Sequence, residues 1–127
     1  MGWWANWCCA LPPLELFGPD SLRIEVSRHR EKIARAARLS LDEIVFLEER
    51  VLTPVRIIPH DLVLAHHWER AYDLVKDIDV DDDPFVALAL HLRCPLWTGD
   101  KKLVRGLRRK GFKHVITSEE LRKKLGV

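Results

Sequence analysis

The sequence has little of what a cross-linked or exported chain needs. Only three cysteines occur in 127 residues, two of them adjacent at Cys8 and Cys9 and the third at Cys94. That number and spacing exclude a conventional disulfide framework, match no zinc motif, and point to a reducing cytoplasm. Long apolar runs are also missing: Trp3 to Leu11 is too short to span a bilayer. A secretory leader would need a basic start, yet the first positive side chain is Arg23. There is no internal repeat, low-complexity tract or linker, so the chain reads as one domain, and 47% hydrophobic content is enough for a core. Acidic residues are absent at the beginning, the first being Glu15.

What is there is unevenly spread. Residues 1–100 carry 11 Lys/Arg and 17 Asp/Glu, net −6, whereas residues 101–127 carry 10 and 2, net +8. An acidic body with a basic tail suits a metal-binding edge beside a surface for polyanions. The acidity peaks at Asp77 to Asp83, five carboxylates in seven residues, followed by an apolar segment and then by Asp100.

Residues 1–13 hold three of the five tryptophans and no charge, and close on Pro12-Pro13. They read as an atypical apolar leader ahead of a domain over 14–127, since the double proline breaks any regular element. Leu14 to Phe17 reads as a strand closed by Gly18-Pro19. One helix is expected from about Asp20, with Leu22, Val26, Ile33 and Ala37 on its apolar stripe and Glu25 at the stripe's border. Ser40 and Glu43 form a capping box that opens a second helix running to about Val51. Val55 to Ile58 reads as a buried strand. A helix over Leu62 to Val75 should turn Ala65, Trp68, Tyr72 and Val75 inward. His66 and His67 are neighbours on it and should point to different parts of the helix, at the surface or half buried.

Asp82 or Asp83 should cap the next helix, with Pro84 in its first turn and Phe85, Leu88, Ala89 and Leu92 recurring at helical spacing until Cys94-Pro95. Leu96 to Thr98 reads as a short strand. Residues 101–110 then form a basic helix with Leu103, Val104 and Leu107 inward and Gly111 at its end. Phe112 to Ile116 is the last strand, and Thr117 with Glu120 is a second capping box. Alternating helices and buried strands imply an α/β fold with a parallel sheet covered on both faces. In such a sheet a helix starts on the edge where strands end, so Asp82 and Asp100 should converge there. Carboxylates brought together repel unless a cation compensates, and Mg²⁺ or Mn²⁺ is the hard ion that suits oxygen ligands.

Two segments carry a resemblance to a known family. LELFGPDSLRIEVSRHREKI and DDDPFVALAL with CPLWTGDKKL resemble the Glu-bearing helix, the third acidic motif and the Thr-x-Asp strand end of PIN domains, many of which are metal-dependent ribonucleases, including toxins of toxin–antitoxin pairs. The resemblance runs from about Leu14 to Leu125. It implies a three-layer α/β/α fold with Glu25, Asp82 and Asp100 as carboxylate ligands of Mg²⁺ or Mn²⁺, and Thr98 as a hydroxyl bonding within the site. It further implies hydrolysis of single-stranded RNA, held on the basic helix by Lys101, Lys102, Arg105, Arg108 and Arg109. An antitoxin partner and a homodimer belong to the same expectation.

The chain departs from the family in one respect. PIN domains begin with a central strand ending in an Asp, usually as Asp-x-Asn, and here no acid precedes Glu15. The usual first strand is thus missing or replaced, by Trp3–Leu11 or by a second chain, unless the true start lies upstream of Met1. Loss of one carboxylate weakens a metal site. The alternative reading is therefore a degenerate PIN domain that binds nucleic acid or protein without cutting. Another α/β enzyme with an acidic Mg²⁺ site, such as a phosphatase, is less well matched because no nucleophile motif closes a first strand.

Overall fold

The computed structural model describes residues 7–11 and 15–126, with side chains from Glu15 onward. The break expected at Pro12-Pro13 and residues 1–6 of the leader segment lie outside the described residues. Five strands form one sheet in the order β3-β2-β1-β4-β5. They are β1 (Trp7–Leu11), β2 (Glu15–Pro19), β3 (Val55–Ile58), β4 (Leu96–Trp97) and β5 (Val115–Ile116). β2 pairs with β3 and β4 with β5 in parallel, while β1 is antiparallel to both of its neighbours, β2 and β4.

The central position is therefore filled, and by a strand of opposite direction. Only residues 12–14 separate β1 from β2. Three residues suffice for a hairpin but not for the crossover of a dozen or more that a parallel neighbour needs. The direction of β1 follows from that short link. Its first residue, Trp7, lies opposite Trp97 near the end of β4, so the strand begins on the edge where the other four strands end.

The helices are α1 (Leu22–Arg28), α2 (Arg30–Ala37), α3 (Leu41–Leu52), α4 (Ala65–Val75), α5 (Asp83–Leu92), α6 (Lys101–Arg109) and α7 (Ser118–Leu125). Among the described residues no helix is long and apolar enough to cross a membrane. Both capping boxes form: Glu43 N–H donates to Ser40 Oγ at 3.1 Å and Ser40 N–H to Glu43 Oε1 at 2.9 Å, and Thr117 and Glu120 repeat the exchange at the start of α7. Gly111, at φ +89°, follows α6 in the left-handed conformation that glycine adopts without a Cβ penalty.

Three sequence expectations about helix faces need correction. The single helix from Asp20 is two, broken at His29, whose φ of −100° and ψ of 4° leave the helical region. The break shifts the phase by about one residue, so that Ala34 is buried and Ala37 is exposed. On α4 the inward residues are Ala71, Leu74 and Val75, with Trp68 packed on the core, while Ala65 is exposed and Tyr72 is 49% exposed. α5 is enclosed rather than striped: Phe85, Val86, Ala87, Leu88 and Ala89 are all buried, and Leu92 only half so. Packed against α4, β1 and β2, it leaves only its two ends, Asp83-Pro84 and Leu90 to Leu92, partly open to water. That enclosure also buries Asp82 just before the start of α5, while Asp79, Val80 and Asp81 stay exposed.

Candidate functional site

The carboxyl edge of the sheet gathers three pieces of chain: α1 after β2, the turn before α5, and the loop after β4. Asp82 ends the 3-10 turn Val80–Asp82 and is only 6% exposed. Its carboxyl is pushed up to about 7, first by burial and then by the carboxylates of Asp79, Asp100, Glu25 and Asp81. Asp82 therefore feels the charge of both other acids named from sequence. Asp79 is the acid that sequence reasoning passed over, although it stands first among the neighbours raising Asp82. It caps the 3-10 turn by accepting from Asp81 N–H at 3.0 Å, and the signal was in the Asp-x-Asp-Asp spacing of residues 79–82.

Glu25 sits on α1 and is turned toward basic side chains of its own segment, with Arg28 Nη1 at 3.3 Å and His29 Nε2 at 3.9 Å. Asp100 caps α6, its Oδ1 accepting from Lys102 N–H at 3.0 Å and Leu103 N–H at 3.2 Å. Thr98 is fully buried, and its hydroxyl oxygen accepts from Asp100 N–H at 3.0 Å. That bond fixes the two-residue turn from which Asp100 projects.

Between α1 and the acidic turn lies an open groove of about 320 Å³, lined by Ser21, Glu25, Arg28, Asp81 and Asp83 among others. Asp83 Oδ1 and Ser21 Oγ are buried there without a hydrogen-bond partner. Burial pushes the Asp83 carboxyl up as well. Capping of α5 does not fall to Asp82, which stands at the N-cap but makes no capping hydrogen bond through its side chain.

The basic residues divide into two groups. Lys101, Lys102, Arg105 and Arg109 are exposed on α6. Arg108 is committed to the fold: its Nη2 donates to Val115 O at 3.2 Å and to Glu120 Oε1 at 2.8 Å, tying α6 to β5 and α7. Lys110 Nζ is likewise anchored to Asp77 Oδ1 and to Leu74 O at the end of α4. The histidines expected to diverge instead meet: the rings of His66 and His67 are 4.0 Å apart, and His67 lies 5.4 Å from His91. α5 packs against α4 and brings His91 to them, and burial pushes the His67 imidazole down.

The donor set suits a hard cation. Its atoms are carboxylate oxygens; the Asp82 carboxyl is pushed up to about 7, by burial first and by neighbouring carboxylates second, and Asp83 Oδ1 adds an acceptor with no donor. The arrangement is not a closed cage, since among the described residues no three His, Cys, Asp or Glu side chains stand close enough together to hold an ion.

A family model described as PIN domain matches residues 6–123. Searches of curated proteins and of solved structures gave no match. PIN domains are in general nuclease-like and generally use divalent metals. The matched span begins one residue before β1 and ends within α7, so it takes in all five strands and every acid at the carboxyl edge. This chain belongs to the PIN domain family.

Proposed function

We propose that this protein is an endoribonuclease of PIN type, hydrolysing phosphodiester bonds in single-stranded RNA with Mg²⁺ or Mn²⁺ drawn to Glu25, Asp82 and Asp100, which would have to close around the ion because they do not stand near enough to hold one as described. The observation that supports it most is the Asp82 carboxyl, buried at the carboxyl edge and raised to about 7 by burial and by carboxylates that include Asp100 and Glu25. Such mutual repulsion is what a divalent cation relieves. When bound, the cation supplies Lewis-acid stabilisation of charge developing on phosphodiester oxygens.

The chain's own groups do the remaining work. Thr98 sets the turn that presents Asp100. Asp100 leaves one carboxylate oxygen beyond its two capping bonds, which both use Oδ1. Lys101, Lys102, Arg105 and Arg109 offer phosphate contacts next to the acids.

Asp100→Asn separates charge from structure, because Asn caps a helix about as well as Asp. The variant is expected to keep its fold and to lose Mn²⁺-dependent cleavage of single-stranded RNA. Equal background rates for both proteins would sink the catalytic reading. A second reading, binding without cleavage, is favoured by one observation: β1 runs antiparallel to both neighbours and so does not end at the carboxyl edge. RNA binding that persists in both proteins while neither cleaves would select it.

A homodimer belongs to the same proposal. α3 exposes Val45, Leu47 and Val51 by about two fifths each and Phe46 by 61%, an apolar surface of the kind that seeks a partner. Phe46→Glu should shift the sedimentation coefficient to that of a monomer, and an unchanged coefficient would remove α3 from the interface.

A further inference from the structure

We propose that a basic groove at the amino edge of the sheet, formed by Lys113, His114 and Lys124, holds the sugar-phosphate backbone of single-stranded RNA. It would extend a track that begins at the acids of the opposite edge. The inference rests on the reading of this protein as one that handles RNA, and it adds a second, remote contact surface.

Connectivity places the groove. β4 and β5 are parallel, so the residues before them, Pro95 and His114, lie on the edge away from Asp100. α6 starts at Asp100 and returns to that far edge, and α7 starts after β5 and ends there too. Pro95, Arg108, Lys113, His114, Glu120 and Lys124 line the resulting cavity of about 290 Å³.

The charge balance of this cavity points to an anion. Among the described residues that line it the one carboxylate, Glu120, is already occupied: Arg108 Nη2 lies 2.8 and 3.1 Å from its two oxygens, and Thr117 N–H donates to Oε1 at 2.9 Å. Those contacts hold the Glu120 carboxyl below the usual range, with the Thr117 backbone donor contributing most. Arg108 and Glu120 thus neutralise one another. Lys113 and Lys124 make no ion pair with any described residue, and both are exposed. Helix dipoles account for cations in the last turn of a helix, such as Lys124, but Lys113 and His114 stand in the loop before β5 and gain nothing from that effect.

A continuous basic row connects the two edges. Lys101, Arg105 and Arg109 are spaced i, i+4, i+8 and share one exposed side of α6. Lys101 also borders a smaller cavity with Thr98, beside the turn that carries Asp100. The row runs the length of α6 from Lys101 to Arg109, about 12 Å at 1.5 Å per residue. Regularly repeated negative charges over such a length are what a phosphodiester chain supplies. Half of the lining side chains are charged while Pro95, Val115 and Ile116 are apolar, so it is the length of the basic row that favours RNA over an acidic peptide.

The test measures binding of a labelled single-stranded RNA across a salt series, without divalent cation. It compares the unaltered protein, Asp100→Asn, Lys113→Gln/Lys124→Gln, and Lys113→Arg/Lys124→Arg. Each lost phosphate contact removes about 0.7 from the slope of log K against log salt for a single strand, so the double Gln variant should lose about 1.4 and bind about 25-fold more weakly at 0.1 M salt. The double Arg variant should restore the slope, which a merely unfolded protein could not do. Asp100→Asn should keep the full slope, so absence of cleavage and absence of this groove's function are read separately. An unchanged slope in the double Gln variant would overturn the proposal. So would competition by polyglutamate as effective as unlabelled RNA at equal charge, which would assign the groove to an acidic protein.

Discussion

Replacing Asp82 by Asn is expected to raise the thermal unfolding midpoint of the metal-free protein at pH 8 by roughly 10 °C and to leave it nearly unchanged at pH 4. The ordinary carboxyl value is 3.8, and burial together with Asp79, Asp100, Glu25 and Asp81 raises it to about 7 in the folded chain. Between these values the folded state binds more protons than the unfolded state. Stability therefore falls as pH rises from about 4 to about 7 and stays reduced above that. A rise of this size corresponds to roughly 4 kcal/mol at high pH. Asn has nearly the same shape and carries no charge, so it escapes the cost. Differential scanning calorimetry at the two pH values, in the presence of a chelator, checks this. An equal change of midpoint at both would mean that Asp82 is not charged at the expense of the fold. In the unaltered protein, Mn²⁺ at pH 8 should recover part of the same stabilisation, and the gain should be smaller in the Asp82→Asn variant.

The second large effect lies in the sheet. Leu96→Ala should destabilise the protein by about 2–5 kcal/mol and lower its midpoint by roughly 10–20 °C. Leu96 has no exposed surface, and its backbone sits between β1 on one side, opposite Cys8, and β5 on the other, opposite Val115. β4 is only two residues long, so little else in the strand can take over its packing. Because Thr98 and Asp100 follow directly, the damage should reach the carboxyl edge: RNA cleavage or binding should fail at a lower temperature than in the unaltered protein. A stability from chemical denaturation within about 0.5 kcal/mol of the original would contradict the placement of Leu96 in the core.

What could be read from sequence depended on range. The two capping boxes, the strand at Val55–Ile58, the helix start near Asp82 and the glycine after α6 are decided by residues within four positions of one another, and all stand as expected. The errors concern phase and neighbours. Counting along an ideal helix puts Ala37 and Tyr72 inward, but the break at His29 and the docking of α4 turn other residues to the core. The ring contact of His67 with His91 needs α4 and α5 side by side, which no local pattern announces.

The candidate site divides in the same way. The acids proposed for it, Glu25, Asp82 and Asp100, could be named from sequence as residue types in resembling motifs. Their second occupations could not: Asp100 holds the N-terminus of α6, Glu25 faces Arg28 and His29, and Arg108 is tied to Glu120. Each such bond joins groups whose approach depends on how elements pack or turn, and the energies of alternative partners differ by too little for sequence to choose.

By itself the sequence determined the order of helices and strands from β2 onward, apart from the break between α1 and α2, together with the acidic run ahead of an apolar helix, the basic tail and the lack of an acid before Glu15, because all of these are fixed by composition and by spacing along the chain. Only the tertiary structure decided that the central strand is present and reversed, since a three-residue link permits a hairpin and forbids a parallel crossover. It alone decided which carboxyl is strained: among five acids in seven residues, the one enclosed by the buried start of α5 and faced by Asp79, Asp100 and Glu25 is Asp82. Burial and opposing charge are properties of the assembled interior, where several distant segments exclude water from the same place.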